Sequence, residues 1–200
     1  MTNISSPISI LEFGSTSIKF GIYDNLVLNQ SLFYEEKIEF RKNDTLLEKN
    51  LLKTIIKKAE NQIEFDFYGF GEKQPVWGKE FLDKIANSKM GLNLSRGYPI
   101  KYYSSDRITQ IAGNGLVTLI DEKTGYRDFF SDKEMVFYSN INDLSEKISK
   151  ISKDDKLRRL IAKKGKDKYT KYFNSNLVAD FIVNKTFDIN NKKKYLWHDK

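Results

Sequence analysis

Residues 107–130 read RITQIAGNGLVTLIDEKTGYRDFF. A helix-like stretch stops at Gly113-Asn114-Gly115, a short apolar run GLVTLID (115–121) follows, and a polar loop with Thr124-Gly125 leads to Phe129 and Phe130. A strand without polar alternation is one covered on both faces, and such strands belong to parallel sheets joined by helical crossovers. The order helix, glycine, apolar strand therefore predicts an α/β sheet. Phe129 and Phe130 read as core filling that anchors the loop.

The same grammar continues in both directions. Upstream, IEFDFYGF (63–70) reads as a short strand ending at glycine, GKEFLDKIANS (78–88) as an amphipathic helix, and KMGLNLS (89–95) as a second strand. SDRITQIAG (105–113) reads as a helix capped by Ser104 or Ser105. Downstream, EMVFYSN (134–140) is a fourth strand, and NDLSEKISKIS (142–152) a helix capped by Asn142 or Asp143. Helices over about 154–172 and 175–187 close the pattern, and the tail 189–200 is expected to fray.

Before residue 46 the grammar differs. ISILEF (8–13), IKFGIY (18–23) and LVLNQSLFY (26–34) are β-rich runs separated by polar turns, which suggests a three-stranded antiparallel meander. Residues 46–60 place Leu47, Leu51, Leu52, Ile55, Ile56 and Ala59 on one helical face. The expected organisation is thus a meander over 1–48, a connecting helix over 49–61, an α/β domain with a partial Rossmann-like parallel sheet over 62–188, and a basic tail over 189–200.

Composition narrows the chemistry. The 200 residues are 40% hydrophobic and 14% aromatic, enough for a real core. There is no cysteine, and the single histidine is His198. Disulfides, thiol nucleophiles, multi-histidine metal sites and a Ser-His-Asp triad have no raw material in this sequence. No metal site is expected. Neither a signal peptide nor an apolar run near 18 residues is visible, so a cytoplasmic protein without a transmembrane segment is expected. The net charge of +7 is uneven: residues 141–200 hold 16 Lys and Arg against 8 Asp and Glu. A solvated helical face explains that surplus. The alternatives are nucleic acid, for which no recognised motif is present, and peripheral contact with an anionic membrane.

In an open parallel sheet, ligands bind at the carboxyl ends of the strands, where helix N-termini offer unpaired N–H groups to anions. Two loops qualify, 95–104 (SRGYPIKYYS) and 121–128 (DEKTGYRD). Arg96, Lys101 and Arg107 bring cations to the first, and Tyr102 and Tyr103 bring flat surfaces for a base or sugar. Arg107 could equally form a surface ion pair with Asp106 or Asp128. These features suit a nucleotide-type ligand, and they also occur in loops that are merely structural.

SKMGLNLSRG (88–97), DRITQIAGNGLVTLIDEKTGYRDFF (106–130), MVFYSNINDLSEKI (135–148) and LRRLIAKKGKDKYTKYF (157–173) occur in that order. Over 62–188 this series resembles the C-terminal, donor-binding half of GT-B glycosyltransferases of group 1, closest to the CgeB-like branch. The resemblance implies a nucleotide-sugar co-substrate, no other cofactor, and transfer of a glycosyl group to an unknown acceptor. It implies roles for Arg96, Lys101 and the Ser104 and Ser105 backbone at the diphosphate, for Gln110 at the ribose, and for Thr124 and Gly125 beside the sugar. Tyr103 and Arg107 border the same site. It also implies that the glycines after the helix let its end pack close to the next strand.

The match has gaps. The family's Glu–seven residues–Glu motif is replaced by Tyr102 and Gln110, and no catalytic residue is identified. The first two strands of the donor domain and the whole acceptor domain are expected to be missing, which would leave an incomplete catalyst. ILEFGSTSIKFGIYD (10–24) instead resembles the first phosphate loop of actin-like ATPases such as FtsA, with Gly14, Ser15 and Thr16 at the phosphates and Glu12 in place of the usual Asp. The chain then reads as a composite of two fragments. The rival reading is a non-catalytic interaction module.

Overall fold

The computed structural model describes residues 8–13, 63–68, 74–94, 99–103, 106–189 and 193–197. Among the described residues, five strands form one sheet: β1 (Ile8–Phe13), β2 (Ile63–Tyr68), β3 (Met90–Asn93), β4 (Val117–Asp121) and β5 (Val136–Tyr138). Their spatial order is β2-β1-β3-β4-β5, and every neighbouring pair is parallel. The helices are α1 (Gly78–Asn87), α2 (Asp106–Gly113), α3 (Ile141–Lys153), α4 (Asp155–Tyr172) and α5 (Ser175–Thr186). Helix α1 connects β2 to β3, and α2 connects β3 to β4. This is the Rossmann-like α/β sheet that the apolar strands predict.

The N-terminal meander is corrected at its first strand. One edge of β1 pairs with β2 from Ile8↔Ile63 to Phe13↔Tyr68, and the other pairs with β3 at Ile10↔Met90 and Leu11↔Gly91. A strand has two hydrogen-bonding edges, and both are taken by parallel partners, so neither is left for an antiparallel neighbour. Ile8–Phe13 also fills the side of the sheet from which strands were expected to be missing. The other two expected strands, 18–23 and 26–34, and the helix over 46–60 lie outside the described residues.

Strand periodicity divides the core. Met90, Leu92, Val117, Leu119, Val136 and Tyr138 pack with Leu144, Ile148 and Ile151 of α3 and with Ile161 and Ala162 of α4. The alternate residues Ile120 and Phe137 join Ile108 and Ala112 of α2, together with Tyr126, Phe129, Phe130, Met135 and Tyr169. Phe129 and Phe130 are core residues, as read. A third cluster joins Tyr68, Ile85, Ile111 and Leu116. Helix α2 sits so close to β3 that a Cβ on Gly91 would lie 2.5 Å from Ile111 Cγ1.

The glycines at the end of α2 act differently from the expectation. A Cβ at Gly113 would meet nothing within 4 Å, so it is not there for close packing. Gly115 has φ +80°, a turn conformation that glycine adopts without steric cost.

Caps set the helix starts. Asn140, rather than Asn142 or Asp143, caps α3: its side chain accepts hydrogen bonds from the N–H groups of Asn142 (2.9 Å) and Asp143 (3.1 Å). Asp154 caps α4 through Leu157 N–H at 2.8 Å, and Asn174 caps α5 through Leu177 N–H at 3.0 Å.

The tail is a further correction. Within 193–197, Trp197 lies 5.4 Å from Phe173 and 5.8 Å from Phe181, ring centre to ring centre. The Tyr195 hydroxyl donates to Asp180 at 2.7 Å, and Lys193 pairs with the same carboxylate at 2.7 Å. These aromatic and charged contacts hold a segment whose composition alone suggests fraying.

Candidate functional site

The strand order has a chemical consequence. The chain leaves β1 for β2 on one side, then returns to place β3 on the other side. The switch point therefore lies between β1 and β3, at their carboxyl ends Phe13 and Asn93. Such a switch point is the usual ligand position in open α/β sheets. The chain after Phe13 continues into Gly14-Ser15-Thr16, and after Leu94 into 95–98, both outside the described residues. Beyond them, 99–103 leads towards the N-terminal end of α2.

The β3-exit and β4-exit segments are joined at one residue. Tyr102 N–H donates to the Thr124 carbonyl at 2.8 Å. The Tyr102 hydroxyl donates to an Asp128 carboxylate oxygen, and its ring centre lies 5.1 Å from that of Phe129. Lys101 Nζ lies 4.7 Å from the centre of the same ring. The Tyr102 backbone has φ +59°, rare for a bulky residue.

The β4 exit is built to receive it. Asp121 accepts from Lys123 N–H at 2.8 Å through its side chain, and its carbonyl accepts from the Thr124 hydroxyl at 2.6 Å. Gly125 then turns the chain at φ +72°, and a Cβ there would lie 3.0 Å from Tyr102 Cε1. Gly125 thus serves both the turn and the approach of Tyr102.

At the β5 exit, Asp143 accepts from Ser139 N–H at 2.9 Å, while Lys147 Nζ donates to Asp143 at 2.9 Å and to the Phe137 carbonyl at 2.7 Å. Burial works against ionisation of Asp143, but the hydrogen bonds from Lys147 and Ser139 outweigh it and hold its pKa below the ordinary value. Among the described residues, no group of three or more histidine or carboxylate side chains is arranged to hold a metal ion.

A family model described as glycosyl transferase-like matches residues 41–184. The chain belongs to that family. A structure of a mutant of S. aureus TarM, in complex with fondaparinux, alpha-GlcNAc-glycerol and UDP, is similar in fold to this glycosyl transferase-like chain. The TM-score is 0.57 at 15% identity, over 90% of this chain and 35% of the TarM chain. The chain thus spans about a third of the length of that structure. A search of curated proteins gives no match. The sheet topology and this similarity identify a GT-B-type, Rossmann-like fold.

The site residues read from the sequence divide into three groups on this glycosyl transferase-like fold. Lys101 and Tyr103 are exposed on the β3-exit segment, and Gln110 is half-buried in the second turn of α2. Arg107 is only 7% exposed, a buried side chain rather than the surface cation that the ion-pair reading describes. Asp128 receives the Tyr102 hydroxyl. Thr124 is fully buried with its hydroxyl engaged inside its own turn, while Gly125 is partly exposed beside Lys101 and Tyr102. Arg96, Ser104, Ser105, Gly14, Ser15 and Thr16 lie outside the described residues. The sequence reading missed the Tyr102–Thr124 and Tyr102–Asp128 contacts. The Thr-Gly pair signals a turn, but nothing in it names a partner 22 residues earlier. No helix among the described residues is long and apolar enough to cross a membrane.

Proposed function

We propose that this chain binds a nucleotide sugar at the carboxyl edge of its sheet and presents the glycosyl group for transfer to an acceptor, as a member of the CgeB-like branch. The observation that carries the reading is the switch point between β1 and β3 in a chain of the glycosyl transferase-like family. The donor diphosphate is assigned to Arg96, Lys101 and the backbone at Ser104 and Ser105, beside the N-terminal end of α2, where partial positive charge favours anions. Gly14-Ser15-Thr16 directly follows β1 in the sequence, after its carboxyl end at the switch point. We assign it to the donor phosphates rather than to ATP, because β1 belongs to this sheet and not to a separate fragment. Gln110 is assigned to the ribose and Gly125 to the border of the sugar, with Thr124 as the scaffold beneath it.

In such a transfer the bond from the anomeric carbon to the diphosphate oxygen breaks, and a bond to an acceptor oxygen forms. The nucleoside diphosphate leaves with the bonding pair, which cations and helix N–H groups stabilise. The acceptor's proton passes to a base not assigned among these residues. TarM is seen with UDP, so UDP is the first nucleotide to try.

The test is a thermal melt of the chain with UDP, GDP, ADP and their sugar conjugates. A ligand at 100 times its Kd stabilises the native state by about 2.7 kcal/mol. At roughly 2–4 °C per kcal/mol for a chain of this size, the Tm rises by about 5–10 °C. A cooperative melt that none of these ligands moves refutes the reading. Release of free nucleotide from the sugar conjugate in the presence of acceptor separates a transferase from a binding module.

A further inference from the structure

We infer that Tyr102 is a positioning residue of the donor site: it pins the segment leaving β3 to the loop leaving β4, and so fixes these two segments as walls of the donor site before a nucleotide arrives. This inference rests on the nucleotide-sugar reading and adds a residue that the reading does not need for contact. Three groups of Tyr102 are used at once. Its N–H holds the Thr124 carbonyl at 2.8 Å, its hydroxyl holds Asp128, and its ring rests on Phe129. Phe129 is in turn buried against Phe173 at 5.7 Å, which ties the pin to the core.

The backbone shows that this arrangement is imposed. An L-residue with a large side chain disfavours φ +59°, and it holds that conformation only where the surroundings over-determine it. The partner loop is shaped to match, since Gly125 leaves room where any Cβ would press on the Tyr102 ring at 3.0 Å. Next to the pinned residue, Lys101 is exposed with its ammonium over the Tyr102 ring, so the pin also fixes the base of a cation assigned to the diphosphate. Preformed walls raise affinity by removing the ordering cost from the binding step.

The experiment uses Tyr102→Phe, Asp128→Asn and the double variant. UDP affinity is measured by calorimetry, or the affinity for GDP or ADP if the wild-type chain binds one of these in its place. Amide exchange is followed in peptides covering 99–103 and 121–130. The expected result is a loss of roughly three- to tenfold in affinity for each single variant, the net range for one ordinary, solvent-exposed hydrogen bond. The double variant loses no more than the worse single, because both remove the same contact. Exchange rises in both segments together, while the Tm stays within a few degrees of wild type. Exchange that rises in neither segment overturns the pin. Raised exchange with unchanged affinity overturns its role at the donor site. A wild-type chain that binds no nucleotide refutes the functional reading itself, and the donor role with it; coupled exchange then decides whether the two loops are joined.

Discussion

Replacing Gly165 by alanine tests the packing of α4 against the sheet. Position 165 lies in the buried face of α4, where a Cβ would sit 2.3 Å from the Glu134 carbonyl oxygen. An ordinary carbon–oxygen contact is about 3.3 Å or more, so something must move by about 1 Å. The carbonyl is poorly placed to yield. Glu134 N–H and Met135 N–H both bond to the Ser131 carbonyl at 3.0 Å, and Met135 is fully buried. The helix is equally held, by Ile161 and Ala162 on one core cluster and Tyr169 on another. In a solvated helix, glycine to alanine stabilises by about 1 kcal/mol. Overpacking against fixed neighbours costs about 1–3 kcal/mol, with backbone clashes towards the upper end. The net effect is destabilisation of about 1–2 kcal/mol, a fall in Tm of roughly 2–8 °C by circular dichroism. Gly113→Ala is the control, since its new methyl group meets nothing within 4 Å. It leaves the Tm unchanged or raises it. If Gly165→Ala raises the Tm in parallel with Gly113→Ala, the packing argument is wrong.

Two further outcomes follow from charge and burial. Hydrogen bonds from Arg158 and then Arg159 hold the Asp155 carboxyl at about 2. Because the folded value is depressed, its stabilisation is present above the unfolded value near 3.9 and is lost as pH falls towards 2. Asp155→Asn therefore lowers the Tm at pH 6 but not at pH 2, and an NMR titration midpoint near 4 for this carboxyl would contradict the pairing. The chain's two tryptophans are Trp77, which is 60% exposed, and Trp197, which packs on Phe173 and Phe181. With Trp77→Phe, the remaining emission is blue-shifted relative to a solvated indole; emission at the solvated wavelength would show that residues 193–197 do not dock.

The parts of the fold that were legible are those whose signal is local. GLVTLID and EMVFYSN announce covered strands because burial on both faces removes polar alternation. The helices from 78 onward announce themselves by apolar spacing, although the cap of α3 is Asn140 and not Asn142 or Asp143 as read. ISILEF is as clearly a strand, but its partners are chosen by topology: polar turns on its C-terminal side suggest a hairpin, whereas its edges pair with residues 55 to 80 positions away. The tail failed for a similar reason. INNKKKYLWHDK looks solvated until Phe173 and Phe181 are placed beside Trp197. At the candidate site, cations and glycines were visible as types. Burial of Arg107, internal use of the Thr124 hydroxyl and the contacts of Tyr102 arise only when two loops meet.

The interior place of β1, between β2 and β3, governs the order of events as the chain is made. Residue 10 must wait for residue 90, and β2 alone covers only one of its edges in the meantime. At synthesis rates of about 5–20 residues per second, the interval is roughly 4–16 s. Throughout it, a β-rich strand carries an unpaired edge that other chains can add to. Long-range parallel pairing is also slow once the whole chain is available. Yield of folded protein should therefore depend more on protection of residues 8–13 until residue 90 has been made than on any single core contact.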